Sequence, residues 1–405
     1  MSSAGRSIDL EPGQRSTAKT RPSGSAALAV LGVLAAVLLT PFLPTFTSLV
    51  AASLLAALAC VTVGRGVPWS VQERVLVAAF ACVVIVGYLN GAENPRHTVD
   101  ALGFLIVCSA FWVLGRRSSD RQWIHVTRAL IVLVALAAVI GMVESRSGAY
   151  VFSGSGLLEA PSRSGLLRAR AFFPHPLVLA LFCCLALALL GQRVVFRHRF
   201  ARWLLTVIFV LGIVASGSRT GLAIALLTVF GAPAIRTIRS WRHARVWIIL
   251  ASLGALTLVF GVVAGYLQAQ GSLVTSADAD AASAQYRAEL TRQLFGLVGS
   301  DPWGTGFGAV PAGVVLFDSS FGVIDAARTV DSEFALSAIR FGLSGLFFWA
   351  VVGWMLVVKL IGRASRDDLP VYVLFLFGGV LALHIWPVVL PVTALFLGRS
   401  TRGRG

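Results

Sequence analysis

The chain is 405 residues long, 57% hydrophobic and only 13% charged, with a mean hydropathy of +0.83, a composition that excludes an ordinary soluble globular protein of this length. Its net charge of +16 and pI near 11.1 would suit a nucleic-acid binder. The arginines, however, stand in short connections at the ends of apolar runs, where orientation and lipid headgroups account for them, so membrane lipid and not nucleic acid is the expected partner.

Hydrocarbon offers backbone N–H and C=O groups no partner, so apolar runs of about 20 residues that do not alternate must be helices. Residues 1–25 are polar, rich in Ser, Gly and Arg, and read as a disordered cytoplasmic tail; the apolar stretch that follows carries no small-residue cleavage site and reads as a retained first helix. Twelve transmembrane helices are predicted, near 26–43, 46–63, 74–90, 99–115, 123–143, 172–191, 202–216, 218–234, 246–266, 333–358, 369–384 and 386–398. The fold class is thus an all-α polytopic membrane protein with one transmembrane domain, 26–398, and a second cytoplasmic tail, 399–405. The last apolar stretch is interrupted by Pro387 and Pro391 and reads as two short helices or as a re-entrant hairpin. All five cysteines lie inside apolar runs, which implies no disulfide framework.

With the N-terminus inside, the even connections gather Arg116, Arg117 and Arg121, then Arg193, Arg197, Arg199 and Arg202, then Arg236, Arg239, Arg242 and Arg245, then Lys359, Arg363 and Arg366. The net charge divides into about +18 inside and −2 outside, as the positive-inside rule requires, with both termini cytoplasmic. Only two connections are long, 144–171 and 267–332, and both fall on the outer face, where function is to be sought.

In chain order, the first candidates are Arg168 and Arg170, which precede Phe172-Phe173-Pro174-His175-Pro176. His175 reads as the cap of a proline-initiated helix or as a group that binds or deprotonates a sugar hydroxyl. Arg219 lies in Ser216-Gly217-Ser218-Arg219-Thr220-Gly221, a tight outer connection. It reads as a snorkelling end charge or, beside a helix N-terminus, as a fork of donors for a phosphate; the second reading is favoured because the outer face otherwise avoids arginine. The long loop holds a predicted amphipathic helix, 284–298, bearing Arg287 and Arg292, and then Gly304-Thr305-Gly306-Phe307-Gly308, whose spacing is not that of a dinucleotide fingerprint. Asp331-Ser332-Glu333 reads as the N-cap and first turn of the tenth helix or as a source of a general base. Glu333 and Arg340 are seven apart and would form, with Asp331, a polar stripe on one face, with Arg340 about two turns below the outer end. No Cys/His cluster or acidic triplet has metal-ligand spacing, so neither a metal nor another cofactor is expected.

Three segments in this order, 168–180, 216–221 and 331–345, together with the basic helix and the Asp301-Pro302-Trp303-Gly304-Thr305-Gly306 turn between them, resemble the O-antigen ligase/polymerase family of membrane glycosyltransferases. The resemblance covers roughly 70–400. It implies a metal-independent glycosyltransferase of bacterial polysaccharide assembly in the inner membrane, with a glycan on a polyprenyl diphosphate (undecaprenyl diphosphate) as donor, a glycan or lipid-linked acceptor, and partners in an assembly complex. Carried onto this chain, Arg219, Arg287 and Arg292 are diphosphate ligands, joined by Arg168 and Arg170, while Asp331, Glu333 and His175 are catalytic candidates and Arg340 lines the polar pocket. Ligases of the family begin the last motif with His, then nine residues after the next position and Gly-x-x-Gly; here Asp331-Ser332 keeps the spacing to Gly342-Leu343-Ser344-Gly345 with Asp in place of His, which points to a polymerase. Leu177 stands where the family has Asn, and Arg340 where many members have an acid. Two other readings stay open: a lipid-linked oligosaccharide flippase or polysaccharide exporter, which needs a charged central cavity, and a non-catalytic scaffold of the same machinery.

Overall fold

The computed structural model describes residues 69–93, 96–152, 167–191, 198–231, 298–308, 332–361, 368–383, 386 and 388–402, with short stretches between 290 and 325. The helices expected at 26–43, 46–63 and 246–266, and Arg287, Arg292 and Asp331, lie outside them.

The helices are α1 (Val71–Asn90), α2 (His97–Arg117), α3 (Asp120–Ser147), α4 (Pro176–Leu190), α5 (Arg199–Ala215), α6 (Arg219–Leu226, continued by a π turn Leu227–Gly231), α7 (Glu333–Ile361), α8 (Leu369–Gly378) and α9 (Val389–Thr401). By length and composition, α1, α2, α3 and the stretch Glu333–Leu360 suffice to cross a membrane. The result is an all-α membrane protein, to which residues inside the long loop add one antiparallel hairpin, β1 (Leu316–Ser319) with β2 (Gly322–Asp325), in register Leu316 with Asp325. Composition gave no sign of that hairpin, which is too short to alternate recognisably.

α4 is the centre of the bundle. Apart from Leu177 every one of its residues is buried, because α3, α5, α6 and α8 all pack on it. Hydrophobic all round, it has the sequence of a helix with no lipid-facing side. Ends rich in arginine meet at one pole. There Arg116 and Glu73 form a buried pair at 2.7 Å, Arg399 bonds Asp120 at 2.6 Å, and Lys359 bonds Asp368 at 2.6 Å and reaches the Ser400 carbonyl. This is the basic pole; at the far pole lie 144–152, 167–175, 215–219 and 301–308.

α7 differs from the straight helix expected over 333–358. Gly342 has φ 54°, ψ −135°, and the chain reverses there. Trp349 Nε1 donates to Ser337 Oγ at 3.0 Å and the rings of Phe334 and Trp349 are 5.4 Å apart, whereas residues twelve apart in a continuous helix would be separated by about 18 Å. A half-helix, 333–341, therefore climbs toward the far pole and folds back on the limb 343–361. The reversal also corrects the depths expected for two residues. Glu333 lies deep, with Cys108 from midway along α2 lining the same cavity and a Cβ placed on Gly378 only 3.6 Å from its own, and Arg340 stands nearer the far pole.

Residues 302–308 are stitched into the break. Thr305 N and Gly306 N donate to the carbonyls of Ile339 (2.9 Å) and Arg340 (2.7 Å), Leu343 N donates to Pro302 O (2.8 Å), and Phe307 N donates to Gly87 O (2.8 Å). Irregular backbone inside a membrane bundle is tolerated where such partners exist. The glycines make the approach possible: a Cβ on Gly342 would lie 2.0 Å from Pro302 O, and one on Gly306 2.2 Å from Gly91 N. The Gly-x-Gly-x-Gly run thus serves backbone-to-backbone packing.

α8 and α9, of 10 and 13 residues, rise about 15 and 20 Å, short of the roughly 30 Å hydrocarbon core. Their feet are tied together at the basic pole, where Ser400 Oγ donates to Asp368 Oδ1 at 2.6 Å, so they form a hairpin of short helices.

Candidate functional site

At the far pole, α3 ends at Gly148 in the left-handed conformation, and the chain comes back alongside it at 167–175. Ala169 N donates to Ala215 O at 3.0 Å and Arg168 Nε to Ser216 O at 3.4 Å, so the first arginine motif lies against the turn that carries Arg219. Gly217, at φ 65°, gives Arg168 its room: a Cβ there would lie 3.3 Å from Arg168 Cγ. Ser218 caps α6, accepting from Gly221 N at 2.9 Å, which leaves Arg219 exposed in its first turn. Arg168, half-buried, and Arg219 therefore flank one turn.

Arg170 is placed differently. It is 2% exposed, its guanidinium lies 4.3 Å from the Tyr150 ring centroid, Nη2 donates to Phe152 O at 3.0 Å, and Nε and Nη1 have no hydrogen-bond partner. In this conformation it is a buried cation underpinning the loop.

His175 caps α4, with Nδ1 accepting from Leu177 N at 3.1 Å and its ring stacked on Trp386 at 5.7 Å. Burial first, and the charge of Arg168 second, lower its pKa to about 4, so the imidazole is neutral at physiological pH. The cap uses Nδ1 as acceptor, so the neutral ring carries its proton on Nε2: capping is compatible with binding a sugar oxygen by donation but not with deprotonating a hydroxyl.

The third motif arrives from the other side of the α8–α9 connection. Ser332 Oγ donates to Gly378 O at 3.3 Å, and His175 reaches the same connection through Trp386. Glu333 is buried and accepts from Ser337 Oγ at 3.0 Å. It faces a cavity of about 260 Å³ between α1, α2, α7 and α9, lined by Phe80, Phe104, Trp112, Phe348 and other apolar groups, with Glu333 the one carboxylate among the described lining residues. Arg340 Nη2 donates to Gly308 O at 2.7 Å, pinning the loop to the half-helix. Of the predicted helix over 284–298, the described residues 290, 293, 294, 296 and 298 are helical, and Leu290 is buried.

The sequence did not point to Glu144, Ala171 or Trp386 as parts of the site. Glu144 alone carried a signal, as an acid in the last turn of a helix, where the macrodipole disfavours it.

Bundle and site together define an integral membrane protein with a cationic turn at the pole opposite its basic connections. Residues 204–350, from α5 through the Arg219 turn and the long loop to the folded-back limb of α7, match the O-antigen ligase family model, which supports an O-antigen ligase/polymerase-like family. That family implies glycan transfer in polysaccharide assembly, with glycosyltransferase-like activity. No curated protein and no solved structure gives a significant match.

Proposed function

We propose that the protein polymerises or transfers glycan units from a polyprenyl-diphosphate donor at the outer face of a bacterial inner membrane, with twelve apolar segments, the last two paired as a short hairpin, and both termini in the cytoplasm. The observation that carries this reading is the approach of Arg168 to the turn of Arg219, two cations from distant stretches of chain at one pole.

In the reaction, an acceptor hydroxyl oxygen bonds to the anomeric carbon of the donor sugar. The bond from that carbon to the diphosphate oxygen breaks, its electron pair leaving with the diphosphate. Arg168 and Arg219, with Arg287 and Arg292 of the loop, stabilise the charge that develops there, as preorganised donors do best in a site with little water. The hydroxyl proton passes to a base. With Nδ1 accepting in the helix cap, the neutral His175 ring carries its proton on Nε2, so it suits binding a sugar oxygen as a donor and does not take the hydroxyl proton. Asp331, one residue before the Ser332 that bonds Gly378, is the candidate base. Glu333, facing an apolar cavity at depth, is less suited to meet a sugar, and we assign it to holding the half-helix through Ser337.

Among the described residues the cavity lining is apolar except for one carboxylate and a few hydroxyls and indoles, which supports transfer over transport of a charged glycan. The test is glycan chain length in cells expressing Arg219→Ala or Arg168→Ala at wild-type level. Loss of long chains supports transfer, accumulation of cytoplasm-facing lipid-linked units supports a flippase, and unaltered polymer supports a scaffold.

A further inference from the structure

We infer that Glu144 is a positioning residue for the cationic site, holding the 168–175 segment in a strained turn that sets Arg168 beside Arg219 and His175 at the head of α4; the inference rests on the proposed function. Glu144 is fully buried in the last turn of α3, where a negative charge opposes the helix dipole. Among the described residues its side chain is held by backbone N–H groups: Oε1 accepts from Val151 N at 3.0 Å, and Oε2 accepts from Arg170 N at 3.0 Å and Ala171 N at 2.8 Å.

These contacts fall where the backbone is least willing. Ala171 is fully buried at φ 52°, the single described non-glycine residue with positive φ, a conformation an alanine holds only when its surroundings over-determine it. Both N–H groups that enter this turn are bound by one carboxylate oxygen. Upstream of the turn, Ala169 N reaches Ala215 O and Arg168 Nε reaches Ser216 O; downstream, Phe173 N closes on Arg170 O and His175 caps α4. Tyr150 adds a second tie, its hydroxyl donating to Arg168 O at 3.4 Å beneath the Arg170 guanidinium. A neutral amide at position 144 would present an N–H₂ group to at least one of the three backbone donors, and the turn would relax.

The experiment uses the full-length chain in lipid nanodiscs, with farnesyl diphosphate as probe and amide hydrogen exchange as a readout that needs no ligand. Glu144→Gln should weaken probe binding about tenfold, the equivalent of one charge-assisted hydrogen bond, and accelerate exchange at 215–219 as well as at 167–173. Adding Ala171→Gly should restore both, because glycine takes φ 52° without help. Unchanged exchange at 215–219 in Glu144→Gln, or no recovery in the double variant, would overturn the inference and leave Glu144 a local fold contact. If Arg219→Ala binds the probe as the wild type does while the exchange pattern is as expected, the positioning stands and the diphosphate reading fails.

Discussion

Trp349 donates its indole N–H to the hydroxyl of Ser337 although the two lie twelve residues apart in what reads as a single apolar helix. This contact closes a helical hairpin at Gly342 and brings the third motif of the chain into the bundle, so the reversal is the feature from which the depth of Glu333 and the seating of the 302–308 loop both follow.

Gly342→Ala should therefore be far more damaging than a glycine-to-alanine change in a helix normally is. The added Cβ would meet Pro302 O at 2.0 Å, and φ 54° is strained for any side chain. A loss of about 2 kcal/mol or more is expected from strain and overlap together. Thermal unfolding in detergent checks it, and a spin-label distance between positions 334 and 349 should lengthen.

Arg340→Met should free the loop without unfolding the bundle. It removes the donor to Gly308 O and leaves that carbonyl unpaired at a cost of about 1–3 kcal/mol. Limited proteolysis near 309–313 should become faster by tenfold or more for a 1.4 kcal/mol loss, while the unfolding midpoint falls by a few degrees.

How much of this was legible in the sequence differs with the range of the interaction. Helix ends set by local chemistry were readable: Ser70 and Ser119 form capping boxes, Pro176 opens α4, and the observed helices start and stop within a few residues of those expected, save α6, which gives way to a π turn after Leu226, and α8, which ends short of 384. The break in α7 was not, because residues 333–361 are apolar throughout and nothing local separates a tolerated glycine from one whose neighbours forbid a Cβ. The same applies to Ala171, whose φ comes from a carboxylate 27 residues away. Arg219 was named a phosphate ligand from its own surroundings and Arg168 through the family resemblance, but their adjacency depends on the pairing of Ala169 with Ala215, which spacing alone could not supply.

His175 makes a prediction of definite sign. Its pKa in the folded protein, about 4, lies below the ordinary value of 6.5, so the unfolded chain binds the extra proton between those limits. Stability contributed by the neutral imidazole is present above pH 6.5 and is lost as pH falls toward 4. Compared with His175→Gln, the wild type should lose stability over that window and run parallel to it above pH 7. Denaturant titrations at several pH values check this, and a constant difference from pH 4 to 7 would contradict it.

The most direct test of the account is transfer by purified protein in nanodiscs supplied only with defined polyprenyl-diphosphate-linked repeat units. The wild type should lengthen the glycan without nucleotide sugar, and Arg219→Ala should lower the rate by about 100-fold or more, the scale of one lost electrostatic contact to a transition state. Equal rates for the two proteins, or no elongation by the wild type, would contradict the claim that the turn shared by Arg168 and Arg219 stabilises a diphosphate leaving group.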